Sequence, residues 1–249
     1  MFCCKSFAEK RINQILALVV CGLVITVPGV EGAEEESIAL ESHSHSCSVS
    51  VEGRTILRIR CGGGYSTPEE RAKVIAQSLA ELFRNPQKTV NFHVVWEEGK
   101  AIAFAGQNKL FTVSEEDARA NKSDPLSLAL LWLNNVQMEF YRIREGTEAK
   151  EVTEGIASWC GSNFEGRATA SGEPYNPYAF TVAHRNFPIG SVLLVTNPED
   201  GRKVVVRVND RGPWKKDRVV DLSLAAAQIL DIYEEGLSEV KIEVLEWGG

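Results

Sequence analysis

Three stretches in the last third of the chain gather side chains that can do acid–base chemistry. TASGEPYNPYAFTVAH holds Thr169, Glu173, Tyr175, Asn176 and His184. VNDRGPW holds Asn209, Asp210, Arg211 and Trp214, and RVVDLS holds Arg218, Asp221 and Ser223. A loop-borne Glu and His with strand-end aspartates suit the cleavage of a glycosidic bond. One carboxyl must be protonated to donate to the leaving oxygen, and a second group must take a proton or stabilise the sugar cation. Asp210, Glu173, His184 and Asp221 are the candidates for that work. Environments that push two carboxyl pKa values apart would assign the roles. Tyr175 and Trp214 offer rings on which a sugar can stack. Asn176, Asn209 and Arg211 offer hydrogen bonds.

Each of these residues also has a plainer use. NDRG is a sound turn sequence, so Asp210 could hold a turn. Asp221 precedes a short helix and could favour its N-terminus. Glu173 could be a solvated loop acid and His184 a core histidine. Glu173, His184 and Asp210 could also ligate a metal. With no short-range pair such as HxxxH or CxxC, neither a metal nor another cofactor is expected.

The elements that must position these groups are mostly strands. GIASWCG, VLLVTN, KVVVRVND, RVVDLS and EVKIEVLEW are short apolar runs separated by turn residues. EDGRK joins two of them as a hairpin turn. One short helix, SLAAAQIL, opens on Ser223 as its cap. Residues 155–249 therefore read as an all-β, closed or nearly closed barrel.

Upstream, residues 47–145 read as a separate α+β module. TPEERAKVIAQSLAELFRN is an amphipathic helix with Thr67 as cap, Pro68 in the first turn and Glu70 at the capping-box position. Its apolar set is Val74, Ile75, Leu79, Leu82 and Phe83. VNFHVVWEEGKAIAFAG reads as a hairpin, NKLFTV as a further strand and PLSLALLWLNNVQMEFYRIR as a second long helix. His93 lies mid-strand as a core or face residue. No catalytic set converges here, and the module reads as a spacer or interaction domain. Residues 146–154 form the linker to the barrel.

The N-terminus has the pattern of a secretion signal over residues 1–33. Basic residues precede the apolar run INQILALVVCGLVITVPGV, and small residues precede an acidic stretch, so cleavage is expected near Gly32 or Ala33. Lipidation at Cys21 is not expected, because Val20 stands where a small residue normally precedes the lipidated cysteine. Residues 34–46 read as a polar linker. Of the six cysteines, Cys47, Cys61 and Cys160 lie beyond the signal. CSVSVEGRTILRIRC reads as a hairpin with a cysteine at each outer end, so a Cys47–Cys61 disulfide is expected in an oxidising compartment, leaving Cys160 as a free thiol. A formal net charge of -7 with no basic cluster argues against a nucleic-acid partner.

The C-terminal stretches together carry a resemblance. GIASWCGSNFEGRATASGEPYN, TVAHRNFPIGSVLLVTN, GRKVVVRVNDRGP and RVVDLSLAAAQIL follow one another at the spacing of the rare lipoprotein A family. That family comprises septal and cell-wall lytic transglycosylases. The resemblance implies a six-stranded double-psi β-barrel, similar to that of expansins, acting on peptidoglycan glycan strands. It places Glu173 at the family's TANGE glutamate, His184 at the histidine of its AAH stretch and Asp210 at the aspartate of NDRGP. Asp221 falls on the aspartate of IDLS, which aligns with the catalytic acid of related barrels. Asn176 stands where the family often has Asp, and Cys160 replaces the tyrosine of ASWYG. The sequence carries no peptidoglycan-binding SPOR domain, often found at the family's C-terminus, so the N-terminal module is expected to take over targeting, through cell-wall or division proteins. The resemblance also leaves open a non-catalytic, expansin-like wall-binding module. The expected location is periplasmic or cell-wall associated, after secretion across the inner membrane.

Overall fold

A computed structural model describes residues 17–20, 23–26, 46–84, 90–145 and 149–249. Two compact units emerge. One takes residues up to Lys88 together with Val95–Arg144; the other takes Thr89–Val94 and Glu145–Gly249.

In the N-terminal unit, β1 (Ala17–Val20), β2 (Leu23–Thr26), β3 (Cys47–Val51) and β4 (Arg54–Ile59) form a sheet in the order β2-β1-β3-β4. The expected hairpin around Glu52 and Gly53 is present, and both residues have positive φ. The apolar run of the expected signal thus holds two short strands, with β1 antiparallel to β3. No helix among the described residues is long and apolar enough to cross a membrane. The rest of the expected signal and residues 34–45 of the expected linker lie outside the described residues.

Helix α1 (Pro68–Arg84) begins where its cap residues require. Thr67 Oγ1 accepts from the Glu70 amide at 3.2 Å, while the Glu70 carboxylate accepts from Ser66 rather than from Thr67. Ala72, Ile75, Ala76, Leu79 and Leu82 form the buried face; Val74, expected on it, is exposed. Strands β5 (Phe92–Glu97), whose residues up to Val94 fall in the second unit, β6 (Lys100–Ala105) and β7 (Asn108–Val113) follow in one sheet. Helix α2 (Glu115–Asn121) is an element that apolar periodicity did not reveal, because it spans only two turns. Its signal was local: Ser114 and Asp117 form a reciprocal capping box. Asp117 also binds the buried Arg71 guanidinium through both carboxylate oxygens. Helix α3 (Pro125–Glu145) completes the unit.

The expected Cys47–Cys61 bridge is not formed. Cys47 is disulfide-bonded, but Cys61 is a free thiol, as is Cys160. The turn at Glu52 and Gly53 sets Cys47 opposite Ile59, and Cys61 lies two residues beyond the end of β4. Its Sγ donates to Asp117 Oδ1 at 3.1 Å instead. Burial and the Asp117 carboxylate push the Cys61 thiol up to about 12.

The second unit is the expected six-stranded barrel. Its strands are β8 (Val152–Trp159), β9 (Thr181–His184), β10 (Val192–Thr196), β11 (Lys203–Asp210), β12 (Arg218–Leu222) and β13 (Leu237–Glu246). They close in the order β10-β11-β9-β12-β8-β13, and the β11·β9 and β12·β8 pairs are parallel. Closure leaves no sheet edge unpaired. Val182, Leu193, Val204, Val206, Val208, Val220, Leu222, Ile242 and Val244 are among its fully buried residues. Strand β8 starts inside the expected 146–154 linker, because the ten-residue β13 stays paired with it as far as Val152. Gly155 is confined by this packing: a Cβ there would lie 2.5 Å from Val219 Cγ1. The short helix α4 (Leu224–Ile229) carries the expected Ser223 cap, whose hydroxyl accepts from the Ala226 amide.

Residues 90–94 lie with the barrel although they precede β6 in sequence. Val90, Phe92 and Val94 are buried. His93 forms an antiparallel bridge with Ala179. On either side of it, Val94 N donates to Tyr178 O at 2.9 Å and Phe180 N to Phe92 O at 3.0 Å.

Candidate active site

Strand β9 sits between β11 and β12, and its Ala183 is the register partner of both Asp210 and Asp221. The two aspartates therefore flank one residue from opposite neighbouring strands. Two strand spacings put their Cα atoms about 10 Å apart. As register partners of one residue, the two aspartates share a face of the sheet, opposite the one that carries Val182, Val220 and Leu222, and the span suits the separation of about 5–10 Å used by glycosidic acid pairs. The β11 register slips between Val208 and Asp210, leaving Asn209 as the extra residue of a bulge. Such a bulge re-aims the side chain that follows it.

Asp210 is fixed by backbone. Its Oδ1 accepts from the amides of Ala170, at 2.9 Å, and Arg211, at 2.8 Å. Asp221 is fixed by side chains. Its Oδ1 accepts from Ser158 Oγ, and Arg218 Nη1 lies 2.6 Å from the same hydroxyl and 3.5 Å from Asp221 Oδ1. The backbone of Gly212 passes beside the other oxygen: a Cβ on Gly212, at φ +141, would stand 3.5 Å from Asp221 Oδ2 and 3.9 Å from Ala183 Cβ. The turn after Asp210 thus closes over Asp221.

Glu173 has a partner of its own. Arg207 Nη2 donates to its Oε2 at 2.6 Å, and its own loop is pinned to β11 by Ser171 N donating to Asn209 O. Sequence reasoning missed Arg207 and Ser158. An arginine in the valine run KVVVRVND was the available signal for the first; a serine between Ala157 and Trp159 carried none.

His184 ends β9 with its ring stacked on Phe187, centroids 3.7 Å apart. Its Nδ1 accepts from the amides of Asn186 and Phe187, at 3.2 and 2.9 Å. With Nδ1 occupied as an acceptor, this network assigns the ring proton of the neutral imidazole to Nε2, which is left to donate. Burial, with Arg185 and Arg211 nearby, lowers its pKa to about 4, so the ring is neutral at neutral pH. Cys160 sits close enough to feel both acids: burial first, then Asp221 and Asp210, raises its thiol to about 11.

Several expected sugar contacts are spent on structure. Tyr175 is buried and donates its hydroxyl to Cys160 O, so its ring is packed rather than presented as an open face. Asn176 Oδ1 accepts from Tyr178 N in a side-chain turn. Asn209 is buried at the bulge, and Arg211 Nη1 donates to the carbonyls of His184 and Phe187. Trp214 is the exception at 79 % exposure, an open aromatic platform. The buttress for its loop is Arg185, which donates to the carbonyls of Pro213, Lys215 and Arg218. No cluster of three or more metal-binding side chains occurs among the described residues.

Residues 152–242 match the family described as lytic transglycolase, whose barrel is of the double-psi type. Over these residues the chain is similar to that family. Among curated relatives it is similar to the endolytic peptidoglycan transglycosylase RlpA of Haemophilus influenzae, 46 % identical over 112 residues, which are 45 % of this chain and 39 % of the relative. The RlpA of Pseudomonas aeruginosa strain UCBPP-PA14 is 51 % identical over 92 residues, 37 % of this chain and 27 % of that one. The chain thus spans well under half the length of these relatives. Residues 48–142 match a second family, described only as a domain of unknown function. Among solved structures, the expansin of Clavibacter michiganensis aligns with a TM-score of 0.33 and 22 % identity, over 40 % of this chain and 52 % of the expansin.

Proposed function

We propose that the chain is an endolytic peptidoglycan lytic transglycosylase that cuts the bond between MurNAc and GlcNAc and leaves 1,6-anhydro-MurNAc ends. The observation that carries this reading is the placement of Asp210 and Asp221 on either side of Ala183. One carboxylic acid gives its proton to the bridging oxygen as the bond to the MurNAc anomeric carbon breaks, and GlcNAc leaves with a free 4-hydroxyl. The second carboxylate takes the proton of the MurNAc 6-hydroxyl, whose oxygen closes on the same anomeric carbon. No water is consumed. The neutral His184 donates from Nε2 to a sugar oxygen, and Trp214 stacks on a sugar ring. Glu173, tied to Arg207, shapes the loop that holds Asp210.

The same reading puts the chain outside the inner membrane, led there by its N-terminal segment, where its substrate lies. The N-terminal module is then the part that meets cell-wall or division proteins. Mass spectrometry of muropeptides released from purified peptidoglycan tests the reaction. Anhydro ends are expected. Reducing-end muramic acid would mean a hydrolase, and wall binding without release, equal for wild type and Asp210→Asn, would mean a binding module.

A further inference from the structure

The loop that runs from Glu173 to β9 is held partly from outside the barrel's own sequence. We propose that Phe92–Val94 act as a positioning strand for this loop, so that a segment lying within the 48–142 family match completes the substrate groove of the barrel.

The backbone carries the inference. Phe180 is buried, and its amide has Phe92 O as acceptor at 3.0 Å; Tyr178 O accepts from Val94 N at 2.9 Å. Backbone groups buried without a partner are costly, so Phe180 cannot hold its place unless a strand lies alongside. Phe180 in turn fixes β9: its carbonyl accepts from Arg207 N at 3.0 Å, and three and four residues on, β9 delivers Ala183 and His184. Arg207 is also the partner of Glu173. On the other side of the bridge, Tyr178 N is bound by Asn176, and Pro177 O accepts from Ala225 N. Displacing Phe92–Val94 therefore loosens the 173–180 loop while Asp210, held by Ala170 and Arg211, keeps its fastenings. The sequence explains the choice of segment. Val90, Phe92 and Val94 alternate as buried residues, the period-two pattern of a strand with one face covered.

The catalytic part of this inference rests on the transglycosylase reading; the structural part does not. The test uses the full chain. Val94→Pro removes the amide donated to Tyr178 O, whereas Val94→Ala keeps it. Hydrogen exchange at the Phe180 amide is expected to quicken about tenfold or more in Val94→Pro and to stay near wild type in Val94→Ala, about one net hydrogen bond expressed as a rate. KM for glycan strands is expected to rise by about the same factor, with kcat changed by less than about threefold.

Rescue separates positioning from general damage. His93 and Ala179 form the non-hydrogen-bonded kind of antiparallel pair, with Cα atoms about 4.5 Å apart, within disulfide range. His93→Cys with Ala179→Cys, added to Val94→Pro, is expected to restore exchange protection and KM when oxidised and to lose both on reduction. Unchanged Phe180 exchange in Val94→Pro, or a KM defect that oxidation does not repair, overturns the proposal. Should Val94→Pro fail to fold, the double cysteine variant alone decides. A disulfide between the introduced cysteines supports the strand, and two freely labelled thiols overturn it. A wild type that releases no anhydro ends removes the reaction but leaves the exchange and disulfide outcomes to judge the strand.

Discussion

Arg207 and Glu173 form a hydrogen-bonded ion pair, 2.6 Å between Nη2 and Oε2, and its halves are unequally buried: the arginine side chain is 7 % exposed, the glutamate 44 %. Removing the outer charge strands the inner one. Glu173→Gln is therefore expected to lower stability by about 1–3 kcal/mol, the cost of leaving a buried charged donor with a weaker partner. Arg207→Met should recover part of that loss in the double variant, because replacing both charges removes the need for a partner. Denaturant melts of the four proteins in the cycle measure this. Purely additive losses would show that the pair does not couple.

Asp210 predicts the opposite pattern. Its fastenings are backbone amides to Oδ1, which the carbonyl of an asparagine can also accept. Asp210→Asn should melt like the wild type yet lose about 10²–10⁴-fold in the release of anhydro products, the usual cost of a missing general acid or base. Asp221→Asn should lose activity on the same scale. Because Ser158 and Arg218 converge on Asp221, its variant should also melt lower.

The sequence revealed where the chemistry-bearing residues lie, because turns, caps and strand ends are local features. VNDRGP, the Ser223 cap and the EDGRK hairpin are all where local rules put them. Residues whose role depends on distant partners were hidden. Ala183 gains meaning only when β11 and β12 pair on either side of β9, and β9 itself, only four residues long, gave no periodic signal. Tyr175, Asn176 and Asn209 looked like sugar contacts because polar and aromatic types bind sugars. The burial of Tyr175 and Asn209, and the backbone groups that claim Tyr175 and Asn176, are set by the path of the 165–180 loop and by the bulge in β11. The Cys47–Cys61 expectation failed for a related reason: the position of the turn decides which residues face each other, and a turn at Glu52 and Gly53 leaves Cys61 two residues past the partner of Cys47.

His184 should leave a mark on acid stability. Its folded pKa is lowered from 6.5 to about 4, so between those values the unfolded chain binds the proton more readily than the native protein. The contribution is present above pH 6.5 and is lost as the pH falls towards 4. His93, also lowered by burial, acts in the same direction. His184→Asn keeps an acceptor near Nδ1 and removes the titration. The decline in stability between pH 6.5 and 4 should be shallower in that variant, and wild-type kcat should show no inflection from an imidazole near 6.5. An unchanged slope would contradict the burial of the ring.

The thiols offer a chemical check. Cys61 and Cys160 are free, with pKa values raised to about 12 and about 11, so little thiolate is present at pH 8. Alkylation of the native, unreduced protein should be slow at both. Denaturation without reduction should expose both, and peptide mapping should find label on Cys61 and Cys160 but on Cys47 only after reduction. Label absent from Cys61 before reduction would restore the hairpin disulfide.

The last prediction concerns the buried ion pair of the N-terminal unit. Arg71 is 2 % exposed and Asp117 0 %, and the guanidinium reaches both carboxylate oxygens and, at 2.6 Å, Thr112 O. Burial alone would raise the Asp117 pKa, but hydrogen bonds from Arg71 and Ser114 overcome it and hold the carboxyl below its ordinary value. The pair also receives the Cys61 thiol and closes the capping box of α2, so a single carboxylate fastens a helix start, a strand end and α1. Asp117→Ala leaves a buried guanidinium without an opposite charge and should cost about 3–5 kcal/mol. Because the folded pKa is depressed, the pair's contribution is present above the ordinary carboxylate range and is lost as the pH falls below it. The wild type should therefore lose stability more steeply than Asp117→Ala on acidification below about pH 4, measured by denaturant melts at each pH. Parallel pH profiles for the two proteins would show that this carboxylate is not coupled to folding.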